Sequence, residues 1–191
     1  MKLIAVLFFL MIAFTSQAKK YIYPLEHVIG LADLIVIGEI ESVEQNTYTF
    51  RITETLKGDV HATIRVEKFK EWTCDTRYAK HEKGQKLCLF LQKGLLSWNI
   101  INGSTGERPI LEQTIYLGME EDIYKLPLSE FVEGITSFCK CYATETISGA
   151  YEEIVTFRQM CTDEEIANFR SLSKFTKWLY DRIHENGNLK K

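Results

Sequence analysis

Five cysteines and four histidines are the residues of this chain whose types lend themselves most readily to chemistry. Cys139-Lys140-Cys141 brings two thiols close together, but a structural zinc site is built from spaced pairs such as CxxC, and no second pair accompanies this one. His27, His61, His81 and His184 are scattered and show no ligand spacing, and HExxH is absent. His81-Glu82 follows Cys74 closely enough to raise a Cys–His nucleophile pair, although such a pair also needs a third group to orient the base. The alternative is a solvated loop histidine. G-x-S-x-G, P-loop and GxGxxG motifs are all missing. The residues therefore assign no catalytic side chain, no metal ligand and no cofactor.

The compartment decides how the thiols are read. Met1-Lys2, the apolar run Leu3–Phe14 and the small-residue stretch ending Ser16-Gln17-Ala18 have the three-part pattern of a secretory signal peptide over residues 1–18. The apolar run falls short of the roughly 20 residues that cross a bilayer. Export, to a periplasm or the medium, makes disulfides the default. Cys74 and Cys88 are read as one bridge, closing a loop of about fifteen residues worth about 3 kcal/mol, against the reading of two free thiols. Cys141 and Cys161 are read as a second bridge, leaving Cys139 as a small buried hydrophobe. The formal charge of −3 argues against nucleic acid, which selects Lys/Arg clusters.

The elements that must position these residues begin with a short helical turn near residues 26–33. Leu34-Ile35-Val36-Ile37 reads as a buried strand bent at Gly38. Tyr48, Phe50 and Ile52 alternate with polar residues in a half-buried strand. Further strands are expected around Ile64-Arg65-Val66, at Leu87–Leu91 with both faces apolar, and at Trp98–Ile101, with a short sixth at Thr114–Leu117. Asn102-Gly103-Ser104 is both a hairpin turn and a glycosylation sequon. After Pro127 the period changes. Leu128, Phe131, Val132, Ile135, Phe138, Cys139 and Tyr142 share a helix face on which Cys141 does not lie. Thr162-Asp163-Glu164-Glu165 is a capping box opening a last helix, with Ile166, Phe169, Leu172, Leu179 and Ile183 as its stripe and Asn186-Gly187 as its stop. Tyr151–Phe157 fits strand and helix equally. The expected class is β-rich α+β: a small five-stranded OB-like β-barrel (19–125) followed by two C-terminal helices packed on it (126–191).

The order of these blocks resembles a known family. Ala32-Asp33-Leu34-Ile35-Val36-Ile37-Gly38-Glu39-Ile40, then Tyr48-Thr49-Phe50 with Leu56-Lys57-Gly58, then Cys74 and Gly84–Leu91 are similar to the first strands of the netrin-module or tissue-inhibitor-of-metalloproteinase (TIMP-like) OB-fold. That pattern is carried by many exported bacterial proteins. The resemblance spans about residues 31–105 and implies the fold and a protein-binding role. Inhibitors of that family start on Cys-x-Cys, whereas Lys19-Lys20-Tyr21 follows the signal here, so inhibition through an N-terminal cysteine is not implied. The function expected is an exported, non-catalytic interaction module binding another protein, with Trp72, Trp98 and Tyr116 as a candidate aromatic patch. The alternatives are a hydrolase using a thiol or carboxylate, or a carbohydrate-binding or structural envelope protein.

Overall fold

The structure is a computed structural model that describes residues 20–60, 62–117, 123–148, 153–185 and 189–190. Residues 1–18, where a signal peptide is expected, His61, and Asn186-Gly187, the expected stop of the last helix, lie outside the described residues. Helix α1 (Leu25–Leu31) leads into strands β1 (Leu34–Val43), β2 (Thr47–Lys57), β3 (Thr63–Glu67), β4 (Lys86–Lys93) and β5 (Trp98–Ile100). They close a barrel in the order β1-β2-β3-β5-β4, with β4 returning to β1. The β3–β5 pair is parallel and the remaining barrel pairs are antiparallel. This is the expected OB-like barrel. Strands β6 (Glu107–Leu111), β7 (Thr114–Tyr116) and β8 (Lys125–Pro127) extend it from the edge of β4.

Closure depends on β1, which pairs along both edges. Its register against β2 shifts at Ile37/Gly38, the bend foreseen at the glycine. Alternation then divides β1 and β4 between two cores. Leu34, Val36, Leu87, Leu89 and Leu91 join Tyr48, Phe50 and Val66 inside the barrel. Ile35, Ile37, Cys88 and Phe90 face outward into a second core shared with the helices. Both strands are apolar on both faces because each face is covered.

The outer layer comprises α2 (Leu128–Cys141), the antiparallel pair β9 (Tyr142–Ser148) and β10 (Glu153–Gln159), α3 (Asp163–Ser171), α4 (Lys174–Glu185) and β11 (Leu189–Lys190), which pairs parallel to β10. The ambiguous segment near residue 155 is thus strand. The Thr162/Glu165 capping box is present in both directions. The single last helix expected from the sequence is instead two. Ser173 and Thr176 cap each other, Thr176 N donating to Ser173 Oγ (3.1 Å) and Ser173 N to Thr176 Oγ1 (2.9 Å), and this restarts the helix. Leu172 falls at the break and is exposed rather than part of the stripe. Gly134 lets α4 approach α2; a Cβ there would lie 2.6 Å from Phe175. Buried Glu26 of α1 accepts from Arg182 Nε of α4 at 3.1 and 3.3 Å, and Lys57 Nζ donates to the carbonyls of Ile29 and Gly30 at the end of α1.

One polar atom of this layer is unsatisfied. Tyr142 is 4% exposed, and among the described residues its hydroxyl has no hydrogen-bond partner. An orphaned buried hydroxyl costs about 1–3 kcal/mol. Tyr142→Phe is therefore expected to raise stability by about 1 kcal/mol in urea denaturation. A loss of stability would show that the hydroxyl is bonded in solution.

Candidate functional site

The loop of residues 68–85, between β3 and β4, caps one end of the barrel. Residues 20–23 run beside it. Tyr23 N donates to Asn102 Oδ1 (3.2 Å), and Asn102 Nδ2 to the Tyr21 carbonyl (3.0 Å). The sequon asparagine is thus engaged in holding this strap. Lys20 Nζ donates to Asp75 Oδ1 (2.8 Å), Ser104 Oγ (3.3 Å) and Thr105 Oγ1 (3.2 Å). Asp75 also accepts from Ser104 N at 3.0 Å, and it leaves no room for a side chain at Gly103, whose φ is +57°. Trp72 and Asp75 exchange backbone hydrogen bonds across the intervening residues, presenting Cys74 outward.

Between this cap, β6 and β7 lies an open cleft of about 330 Å³, whose lining includes Cys74, Arg77, Tyr78, Glu107, Arg108, Pro109, Tyr116 and Tyr124. Its floor is a buried polar cluster. Arg77 Nε donates to Glu107 Oε1, and both side chains are almost wholly enclosed, at 2% and 4% exposure. Arg77 also donates to the Ala79 carbonyl and, at 3.1 Å, to Gln85 Oε1. Tyr48, from inside the barrel, donates its hydroxyl to Glu107 Oε2 at 3.0 Å. His81 packs on the Tyr48 ring (5.0 Å between centroids) and brings Nε2 to 3.6 Å from Glu107 Oε2, an electrostatic contact beyond hydrogen-bond length.

Burial alone would push the Glu107 carboxyl upward, but His81 and Arg77 outweigh it and hold the group below its ordinary value. Burial, reinforced by the Glu107 charge, pushes the Tyr48 phenol well above its own. Near neutrality Glu107 is a fixed carboxylate and Tyr48 a fixed donor. A general acid needs a carboxyl raised toward the working pH, the opposite of this arrangement. Among the described residues no hydrogen bond joins His81 to Cys74; the imidazole is turned to Glu107 and Tyr48.

Of the two expected disulfides, Cys141–Cys161 is formed, with Cα atoms 4.8 Å apart. The Cys74–Cys88 pairing is corrected: both thiols are free. Cys88 points from β4 into the core beneath the helices, whereas Cys74 is exposed at the cleft. Burial pushes the Cys88 thiol far up, and the Cys139 thiol to about 11. Cys139 is half-buried rather than buried, and Cys141 takes the inward position on α2 because the helix ends there against α3. The Cys141–Cys161 bridge closes a separation of 20 residues. Cys141→Ser with Cys161→Ser is expected to lower stability by about 3 kcal/mol, read by urea denaturation. A change under about 1 kcal/mol would mean that the bridge is not formed in solution.

The three aromatic residues expected as a patch have separate roles. Trp98 packs against the barrel interior, Trp72 lies in the cap loop at 40% exposure, and Tyr116 lines the cleft edge-to-face with Tyr124, 5.7 Å between centroids. Arg77, Glu107, Arg108 and Tyr124 escape the sequence reading. Glu107-Arg108-Pro109-Ile110-Leu111 opens with two charges and a proline, the reverse of a strand signal. A further exposed feature is the β4–β5 turn, where Leu95 and Leu96 are 97% and 89% exposed. Among the described residues no helix is long and apolar enough to cross a membrane.

The sequence matches no protein-family model and no curated protein.

Proposed function

We propose that this chain is an exported, non-catalytic binding module whose ligand is another protein, docked at the tyrosine-rimmed cleft of a TIMP-like OB barrel. The observation that carries the reading is the state of the cleft. Its floor charges are matched to one another, its carboxylate is held below the range of an acid catalyst, and Tyr78 and Tyr124 stand 64% and 48% exposed above it. Exposed tyrosines over a rigid polar floor suit recognition, because they bury large area on ordering few torsions. Leu95 and Leu96 offer a second apolar contact at the β4–β5 turn. The Cys141–Cys161 bridge and the N-terminal segment support export.

The test is capture by the oxidised protein, recovered after expression of the full chain, from native envelope and culture-medium extracts. A stoichiometric protein held by the wild type and lost from a Tyr78→Ser/Tyr124→Ser variant is the expected result. Both positions are exposed, so the variant retains the fold. Turnover of an envelope polymer by the purified protein, or capture of no protein, overturns the proposal.

A further inference from the structure

The strap of residues 20–23 is itself part of the cleft wall. Lys20 and Ile22 line the cleft together with Ser104, Thr105, Tyr78 and Tyr124. The Lys20 ammonium meets three acceptors: Asp75 Oδ1 at 2.8 Å, Thr105 Oγ1 at 3.2 Å and Ser104 Oγ at 3.3 Å. The lysine and aspartate side chains are only 9% and 7% exposed. Three acceptors match the three N–H bonds of a primary ammonium. All three are placed by elements other than the strap. Asp75 is fixed by its backbone exchange with Trp72 and by Ser104 N, and Ser104 and Thr105 belong to the 3-10 turn Gly103–Gly106. The pocket is therefore an ammonium site whose walls do not depend on Lys20. A carboxylate this enclosed is costly to leave without a cation. The strap is anchored at its far end, where Tyr23 packs against the outer core and donates to Asn102; Tyr21 is held at its carbonyl but stands 61% exposed.

Resting on the protein-binding reading, we propose that Lys20 is a plug held in cis. The protein received at the cleft presents a lysine side chain of its own to Asp75, Ser104 and Thr105, displacing Lys20 and lifting residues 20–22 from the cleft wall about Tyr23. The exchange is inexpensive because one ammonium replaces another and Asp75 is never left unpaired. A planar guanidinium is a poorer match to three acceptors gathered around one nitrogen. Occupation in cis also has a thermodynamic signature. It lowers the apparent affinity for the ligand by the fraction of molecules whose strap is released. Removing the Lys20 ammonium should then strengthen ligand binding, whereas a purely structural ion pair predicts that its loss weakens binding.

The test compares the intact oxidised wild type with Lys20→Ala and with a second variant, Lys20→Ser, whose hydroxyl eases the loss at Asp75. n-Butylammonium chloride is expected to raise the melting temperature of either variant by about 2 °C or more over tetramethylammonium chloride, and to leave the wild type unmoved. An end-labelled acetyl-Lys-Tyr-Ile-Tyr-amide peptide, read by fluorescence anisotropy, is expected to bind the variants at least about tenfold more tightly than the wild type. The same peptide with glutamine in place of lysine should bind the variants at least about tenfold more weakly. No butylammonium shift, an equal shift in the wild type, or equal binding of the two peptides overturns the proposal. Tighter binding of the glutamine peptide with a free amino terminus than of the acetylated lysine peptide also overturns it, in favour of a partner's amino terminus. The partner protein captured from extracts should be held several-fold more tightly by Lys20→Ala than by the wild type. If it is held equally or less tightly, the plug inference fails while the protein-binding reading stands; capture of no protein overturns both.

Discussion

Gly38→Ala is expected to cost about 3 kcal/mol or more, a large share of the roughly 5–15 kcal/mol that holds a domain of this size together. A Cβ at this position would lie 2.1 Å from the Arg51 carbonyl oxygen and 2.8 Å from the Phe50 ring. The first contact is with the backbone of the neighbouring strand, so no rotamer change relieves it. Relief requires β1 and β2 to separate at the bend where β1 passes between β2 and β4, and the barrel closes through that bend. Gly84→Ala is the matched control. Gly84 has φ +85°, a conformation costly to alanine, but nothing lies within 4 Å of the added carbon. It should cost about 1 kcal/mol, the strain of the backbone alone. Urea denaturation of the two variants separates steric collision from conformational strain. Equal losses would mean that the bend can move.

Breaking the Arg77–Glu107 pair from one side is the second large effect. Arg77→Met leaves a buried carboxylate without its cation and is expected to cost about 3–5 kcal/mol. Arg77→Met combined with Glu107→Leu should cost less than the sum of the single changes, because neither charge is then stranded. The pH dependence follows from the direction of the shift. Glu107 is held below its ordinary value in the folded state, so its contribution is complete above about pH 4.5 and is lost as pH falls through the depressed folded value. Tyr48 sets the opposite limb. Its phenol is raised in the fold, so its contribution is complete below about pH 10 and declines above it. Stability curves of wild type and Glu107→Gln checked between about pH 2 and 7 should differ in slope on the acid side and run parallel near neutrality. Identical acid slopes would mean that Glu107 is not ionised in the folded protein.

The legible parts of the fold share one property. The β1, β2 and β4 strands, the Gly38 bend and the Thr162 cap are each set by residues within a few positions of one another. Local alternation and side-chain-to-backbone capping write such features directly into the order of residues. The same logic, applied too far, joined α3 to α4, because the 3.6-residue period continues across a Ser173–Thr176 cap whose signal is as local but weaker. Strand β6 was invisible for the opposite reason. Its Glu107 carboxylate is stable in a buried strand because Arg77, Tyr48 and His81 meet it from other elements.

By itself the amino-acid order determined a β-rich α+β chain with an OB-like barrel, a helical C-terminal part and a Cys141–Cys161 bridge. Only the tertiary structure decided that Cys74 and Cys88 stay apart, that Tyr116 partners Tyr124 rather than a tryptophan, and that residues 20–23, the cap loop and β6 meet in one cleft. The reason is physical. Alternation tells which face of a strand is apolar, but β1 and β4 have two apolar faces. Which of them looks into the barrel and which toward the helices is set by closure of the sheet, a cooperative property of strands far apart in the chain.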